Sequence, residues 1–268
     1  MKNGINSIIV YGDSILKGVV TGTSDKRFEI VEENSLSLAG KSLGLEITNK
    51  SVFGNIITKG KKTLDFDIEK GRIGERSFDA AIIESGGNDC DHDWVSMSKD
   101  PSNPPGHRTP LPEFIEAIDY MVTKFRLFKI TPVLMTCPPL VADRYFKNIC
   151  ISADEKVVST FLGGDIFHLY RTQELYSLAL ADYARSNGVQ IVDMHRTFLE
   201  AEYNLSESFR TLHSMGTVPD SQSCPAVTDG GPQWSHLMCA DGIHPNIDGY
   251  KFMAGVWEQE LPKLKKEF

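Results

Sequence analysis

The stretch SIIVYGDSI, residues 7–15, decides the architecture. Ser7 to Tyr11 is short, apolar and β-branched, with no polar residue on alternate positions. Such a run reads as a strand buried on both faces, the kind found in parallel sheets. It stops at Gly12-Asp13-Ser14, a loop that puts a serine just past the strand's carboxyl end. Further strands are expected over Glu46–Val52, stopping near Gly54, and over Phe78–Ser85, stopping at Gly86-Gly87. Two more are expected over Thr131–Cys137, stopped by Pro138-Pro139, and over Gly188–Met194.

Helical patterns lie between these runs. Pro112–Phe128 puts Phe114, Ile115, Ile118, Met121, Val122 and Phe125 on one face at three-to-four spacing. Pro112 suits a first helical turn, where its missing N–H costs nothing. A second helix is expected over Leu175–Ala184, ended by Asn187-Gly188, and a last one over Asn246–Leu261. Strands alternating with helices predict a three-layer α/β/α sandwich around a parallel sheet. Ligands of such sheets bind beyond the carboxyl ends of the strands. Gly12-Asp13-Ser14, Gly54 and Gly86-Gly87-Asn88-Asp89 are all expected on that one edge.

Composition narrows the function. The chain has 268 residues, 41% apolar and 24% charged, ordinary for a globular protein, and is read as one domain over 1–268. The net charge of -8 argues against a nucleic-acid partner, and an anionic membrane would repel it. Five cysteines without a CxxC pair, and no leader-like or membrane-length apolar run at the amino terminus, point to a reduced, cytoplasmic setting. Two stretches lack periodicity. One is the proline-rich Cys90–Leu111; the other is Ser206–Cys239, whose Gly216, Gly230, Gly231 and Trp234 suggest a cover over a pocket.

Chemistry gathers on a few residues. A serine hydroxyl needs a base to take its proton. His244, in Asp241-Gly242-Ile243-His244-Pro245, is the candidate base. Asp241, three residues earlier, can reach one ring nitrogen while the other faces Ser14. Donors for an oxyanion are the backbone N–H groups of Ser14 and Gly54 and the side-chain amide of Asn88.

These residues resemble the blocks of the GDSL/SGNH hydrolases. Gly12-Asp13-Ser14-Ile15 matches the first block, with Ile15 for the usual leucine. Asn49–Gly54 matches the second, with Ser51 where an earlier glycine is common. Gly86-Gly87-Asn88-Asp89 matches the third and Asp241-Gly242-Ile243-His244 the last. The blocks stand in family order along nearly the whole chain. The resemblance implies a flavodoxin-like sandwich and ester hydrolysis through an acyl-enzyme. It implies Ser14, Asp241 and His244 as the triad, with Ser14, Gly54 and Asn88 as the oxyanion hole, and no metal or organic cofactor. The expected substrate is a short-acyl, acetyl ester of a carbohydrate. The alternatives are a thioesterase or lysophospholipase acting on longer chains and, in another class, a non-catalytic glycan-binding module.

Other residues have simpler structural readings. Asp13-Ser14 could be a helix cap, Gly54 a turn glycine and Asn88 a loop cap. His195 beside Asp193 reads as a hydrogen-bonded histidine at a strand end, and His236 as a solvent-facing one. Asp89, Asp91, His92 and Asp93 could suggest a metal, but alternate loop residues need not converge. Gly40-Lys41-Ser42 lacks the earlier glycine of a phosphate loop, since position 35 is Ser35. No GxSxG surrounds Ser14.

Overall fold

The computed structural model describes residues 4–22, 27–201 and 233–268, with the side chains of residues 233 and 234 left out. The suggested cover over 206–239 lies largely outside the described residues, as does the Trp234 side chain.

The strand read from residues 7–11 is β1 (Ser7–Tyr11). It leads into a short helix, α1 (Ser14–Lys17), and then into a hairpin of β2 (Val19–Thr21) and β3 (Phe28–Ile30). After α2 (Ser35–Leu43) come β4 (Glu46–Asn49), α3 (Ile57–Glu69) and β5 (Ala80–Glu84). The chain continues through α4 (Trp94–Lys99), α5 (Leu111–Leu127) and β6 (Thr131–Met135). Three helices follow, α6 (Ala142–Cys150), α7 (Glu155–Phe161) and α8 (Phe167–Ser186), then β7 (Gln190–Val192). A helical stretch over 194–201 (α9) and the last helix, α10 (Ile247–Glu260), complete the elements.

The larger sheet runs β4-β1-β5-β6-β7, all parallel. Numbered along the chain, those five strands have the spatial order 2-1-3-4-5, the flavodoxin-like arrangement. Its strand order reverses between β1 and β5, so a crevice opens beyond the carboxyl ends of those two strands. Ser14 follows β1 and Asn88 follows β5, which puts both at that crevice.

Period-two alternation sorts the strand side chains into two cores. Ile8, Val10, Ile82, Val133 and Met135 pack with Leu36 and Ala39 of α2, Phe198 of α9, and Tyr250, Met253 and Trp257 of α10. Ile9, Tyr11, Ala81, Ile83 and Leu134 face the other way. They pack with Leu64 of α3, with Phe114, Ile118, Met121, Val122 and Phe125 of α5, and with Tyr176 and Leu180 of α8. Both faces are therefore covered, which explains why β1 and β5 carry no polar alternation. Each fully buried Phe of α5 contributes about 1.5–3 kcal/mol relative to exposure. A third cluster, Trp94, Met97, Leu140, Tyr145, Ile149, Val158, Leu162 and Leu169, joins α4, α6, α7 and the start of α8.

Differences from the sequence reading are local. The strand expected to Val52 ends at Asn49, because the chain turns there and Val52 donates to the Gly12 carbonyl at 3.1 Å. The helix expected from Leu175 begins at Phe167. Cys90–Leu111 is not without structure, since it contains α4 with Trp94 and Met97 buried. Among the described residues, no helix is long and apolar enough to cross a membrane. Cys90, Cys137, Cys150 and Cys239 are free thiols.

Candidate active site

Ser14 is the first residue of α1. Asp13 caps that helix, its Oδ1 accepting from the Ile15 N–H at 2.8 Å. A helix that starts directly after the strand aims the Ser14 side chain across the sheet edge.

His244 arrives from the far end of the sequence on a braced loop. Its carbonyl accepts from the Cys239 N–H at 2.7 Å, and Met238 bridges Pro245. Asn246 then caps α10 by accepting from the Gly249 N–H at 2.9 Å. Gly242 sits in the left-handed region, φ 76°, against the start of α6. A Cβ there would lie 2.6 Å from the Val141 carbonyl oxygen, so the turn needs glycine for conformation and for space.

These loops bring three side chains into a line. His244 Nε2 lies 2.9 Å from Ser14 Oγ, and His244 Nδ1 lies 2.6 Å from Asp241 Oδ2. The other Asp241 oxygen accepts from the backbone N–H groups of Ile243 and His244, each at 3.1 Å. All three residues are buried. Burial pushes the Asp241 carboxyl up. The His244 hydrogen bond and the two backbone donors outweigh that, so it lies below the usual carboxylate range. An ionised Asp241 accepts from Nδ1–H and leaves Nε2 as a lone pair facing Ser14. That is the geometry required to remove the serine proton.

Asn88 lies across the crevice from this line. Its Nδ2 donates to Asp13 Oδ2 at 2.7 Å. The next residue, Asp89, ties the loop down: its carboxylate accepts from Ser85 Oγ at 2.6 Å, from the Gly86 N–H at 3.0 Å and from the Ile57 N–H at 2.9 Å. Gly54 adopts φ 67° in the turn after β4, and its neighbour Phe53 stacks on the His244 ring at 6.1 Å between centroids. Phe28 of β3 meets the same imidazole edge-on at 5.3 Å. Neither aromatic was singled out in the sequence. Their relation to His244 is purely spatial, and no local pattern signals it.

A cavity opens beside Ser14, His244 and Asn88. Counted to its open mouth it has about 690 Å³ of empty space. His92, Trp94, Tyr145, His168, Thr172 and Gln173 supply much of the wall. The last three come from the part of α8 that sequence periodicity does not reveal. His92 donates from Nδ1 to the Pro105 carbonyl at 3.0 Å, and burial holds its pKa below the ordinary histidine value.

The acidic cluster read as a possible metal site is dispersed. Asp89 binds the loop as above, and Asp91 accepts from Trp94 Nε1 at 2.7 Å. Asp93 caps α4 through the Ser96 N–H. Among the described residues, no three His, Cys, Asp or Glu side chains converge on a metal position. His195 is buried near Tyr170, and His236 is exposed.

A parallel sheet of order 2-1-3-4-5 with serine, histidine and aspartate aligned at its carboxyl edge is the architecture of an SGNH-type hydrolase. The model of the GDSL-like lipase/acylhydrolase family matches residues 8–257. The chain belongs to that family and is a carboxylic ester hydrolase. Among solved structures it is similar to a lipase/acylhydrolase from Enterococcus faecalis, at 15% identity and TM-score 0.56, covering 98% of this chain and 100% of that one. It is also similar to a catalytic mutant of Axe2, an acetylxylan esterase from Geobacillus stearothermophilus. There the identity is 16% and the TM-score 0.57, covering 97% of this chain and 96% of that one. At these identities the likeness is one of fold. The comparison with curated proteins gave no match.

Proposed function

We propose that the protein removes short acyl groups, acetyl above all, from carbohydrate esters, and that the chain acts as one catalytic domain. Ser14 attacks the ester carbonyl. His244 takes the serine proton and returns it to the departing alcohol, while Asp241 orients the imidazole. The N–H groups of Ser14 and Gly54 and the Asn88 amide hold the oxyanion. Water then repeats the sequence on the acyl-enzyme, with His244 as base again.

The observation that carries this reading is the continuous hydrogen-bonded line from Asp241 through His244 to Ser14 Oγ, opening on a cavity. An acetyl group fits the cavity beside Ser14. Polar groups on the wall, His168, Thr172 and Gln173, suit a hydroxylated substrate. The Geobacillus neighbour is described as an acetyl-xylooligosaccharide esterase, which fits the same substrate class.

Acyl-length dependence tests the proposal. Across p-nitrophenyl acetate, butyrate and octanoate, kcat/KM is expected to fall at least about tenfold, since each misfitting methylene can cost about 1–3 kcal/mol. Acetylated xylo-oligosaccharides are expected to release acetate. A rate that climbs with chain length would replace this substrate class with a long-chain thioesterase or lysophospholipase.

A further inference from the structure

Glu84 is the last residue of β5. It is 2% exposed, belongs to none of the four sequence blocks, and has no part in the mechanism above. A carboxyl group buried to this degree is costly to keep, so its contacts need an account. Oε2 accepts from the Asp13 N–H at 2.8 Å, and Oε1 accepts from the Cys137 thiol at 3.3 Å. The Asp13 carboxyl follows directly on the backbone N–H that Glu84 holds. The approach is close enough to depend on Gly12. A Cβ on that residue would fall 2.8 Å from Glu84 Oε2 and 2.9 Å from Ser51 Oγ.

Two neighbouring carboxyls in a dry interior disfavour each other's charge. Burial pushes Glu84 well above the usual carboxylate range, and the Asp13 charge adds to the push. Burial raises Asp13 as well, but the Ile15 N–H, the nearby His244 and Glu84 itself all pull it back. Of the two, Glu84 is the one pushed further above the usual carboxylate range. Asp13 spends Oδ1 on the Ile15 N–H and Oδ2 on Asn88 Nδ2 at 2.7 Å.

This contact has a geometric consequence. An asparagine amide has two N–H bonds. With one held by Asp13, the other is fixed in direction. Flipping the amide would set its oxygen against a carboxylate, two acceptors face to face, so the flip is blocked. Asp13 can hold Asn88 only if its own backbone stays in place, and Glu84 holds that backbone through the Asp13 N–H. We propose that Glu84 is a positioning residue for the esterase reaction, acting through Asp13 to hold the Asn88 amide in the direction of the oxyanion. This rests on the Ser14 mechanism proposed above. A network with every member satisfied is rigid, and removing one member loosens the others.

A double-mutant cycle tests the proposal, using p-nitrophenyl acetate and full-length protein. Glu84→Leu is expected to lower kcat about 10- to 100-fold with KM within about threefold. That is part of the 10²–10³ loss expected when an oxyanion donor is removed outright. Glu84→Asp keeps an acid but withdraws it by one methylene. It is expected to show a loss in the same range, and it serves if the leucine variant does not fold. Glu84→Gln is neutral and can still accept from the Asp13 N–H, so it is expected to recover most of the lost rate. In an Asn88→Ala background, Glu84→Leu or Glu84→Asp is expected to cost less than about threefold, because the residue they act through is gone. Losses that multiply in full across the two backgrounds would overturn the proposal and make Glu84 a general structural residue. So would a glutamine variant as slow as the leucine one. Ser14→Ala, run alongside, separates the two levels. If it stays active, the mechanism itself is wrong; if it is inactive while the cycle is additive, only the role of Glu84 fails.

Discussion

Ser14→Ala is expected to abolish ester turnover while leaving the melting temperature nearly unchanged. The substitution deletes Oγ, the atom 2.9 Å from His244 Nε2, and little else. Ser14 is the first residue of α1, but Asp13 provides the cap, so alanine is tolerated in the helix. The Ser14 N–H remains in place for the oxyanion. One hydrogen bond is lost, worth about 1 kcal/mol of stability. Loss of the nucleophile in such a unit leaves only binding and oxyanion effects, so kcat is expected to drop by about 10⁴ or more. Steady-state kinetics on acetate esters and a thermal melt check both halves. Near-normal turnover would put the nucleophile elsewhere.

Asp241→Asn is expected to have an effect of similar size for a different reason. Asp241 Oδ1 accepts from two backbone N–H groups and Oδ2 from His244 Nδ1. Asparagine has one acceptor oxygen. The two backbone donors compel that oxygen to face them, which turns the amide NH₂ toward His244 Nδ1. Nδ1 must then be the unprotonated nitrogen, and the proton moves to Nε2. A ring protonated at Nε2 cannot take the Ser14 proton. A wrong tautomer with geometry preserved is expected to cost about 10⁴ in kcat. The fold is expected to persist, because the side-chain shape and both backbone hydrogen bonds survive. A loss below tenfold in kcat at neutral pH would show that Asp241 does not set the tautomer.

How far these features were legible in the sequence depends on how locally each is determined. The bounds of β1 follow from five residues and a glycine, because a strand buried on both faces needs nothing but apolar side chains. The residues of the site line stand in short blocks whose turns are fixed by neighbouring glycines and caps, so they too could be read. The start of α8 could not. His168, Arg171, Thr172 and Gln173 interrupt the apolar period, and three of them face the cavity. The polarity that hides this half of the helix is what gives the cavity its polar wall. Helix α4 has only six residues, too few to show a period, yet it buries Trp94 and Met97. Glu84 lies 71 residues from Asp13. Read locally it is a charged residue ending a strand, and only the pairing of β1 with β5 shows what it touches. Phe28 and Phe53 are similar cases, one from β3 and one from the turn after β4, brought together beside His244.

Asn88, Gly54 and the Ser14 N–H share one proposed task, but their surroundings differ. Asn88 is clamped from behind by Asp13. Gly54 owes its direction to a left-handed turn that residues with a Cβ rarely adopt. Ser14 N–H is oriented by the first turn of α1. Donors fixed before the substrate arrives need no reorganisation when charge develops, which is where such sites gain most of their rate.

The central claim is that Ser14 carries the acyl group between the two halves of the reaction. It is tested most directly by mixing the enzyme with p-nitrophenyl acetate, quenching in acid within the first turnover, and mapping the peptides by mass spectrometry. The account predicts one acetyl group on the peptide containing Ser14, and none there in the Ser14→Ala protein. An acetyl group on another residue that forms and decays at the turnover rate, with the Ser14 peptide unmodified throughout, would contradict it.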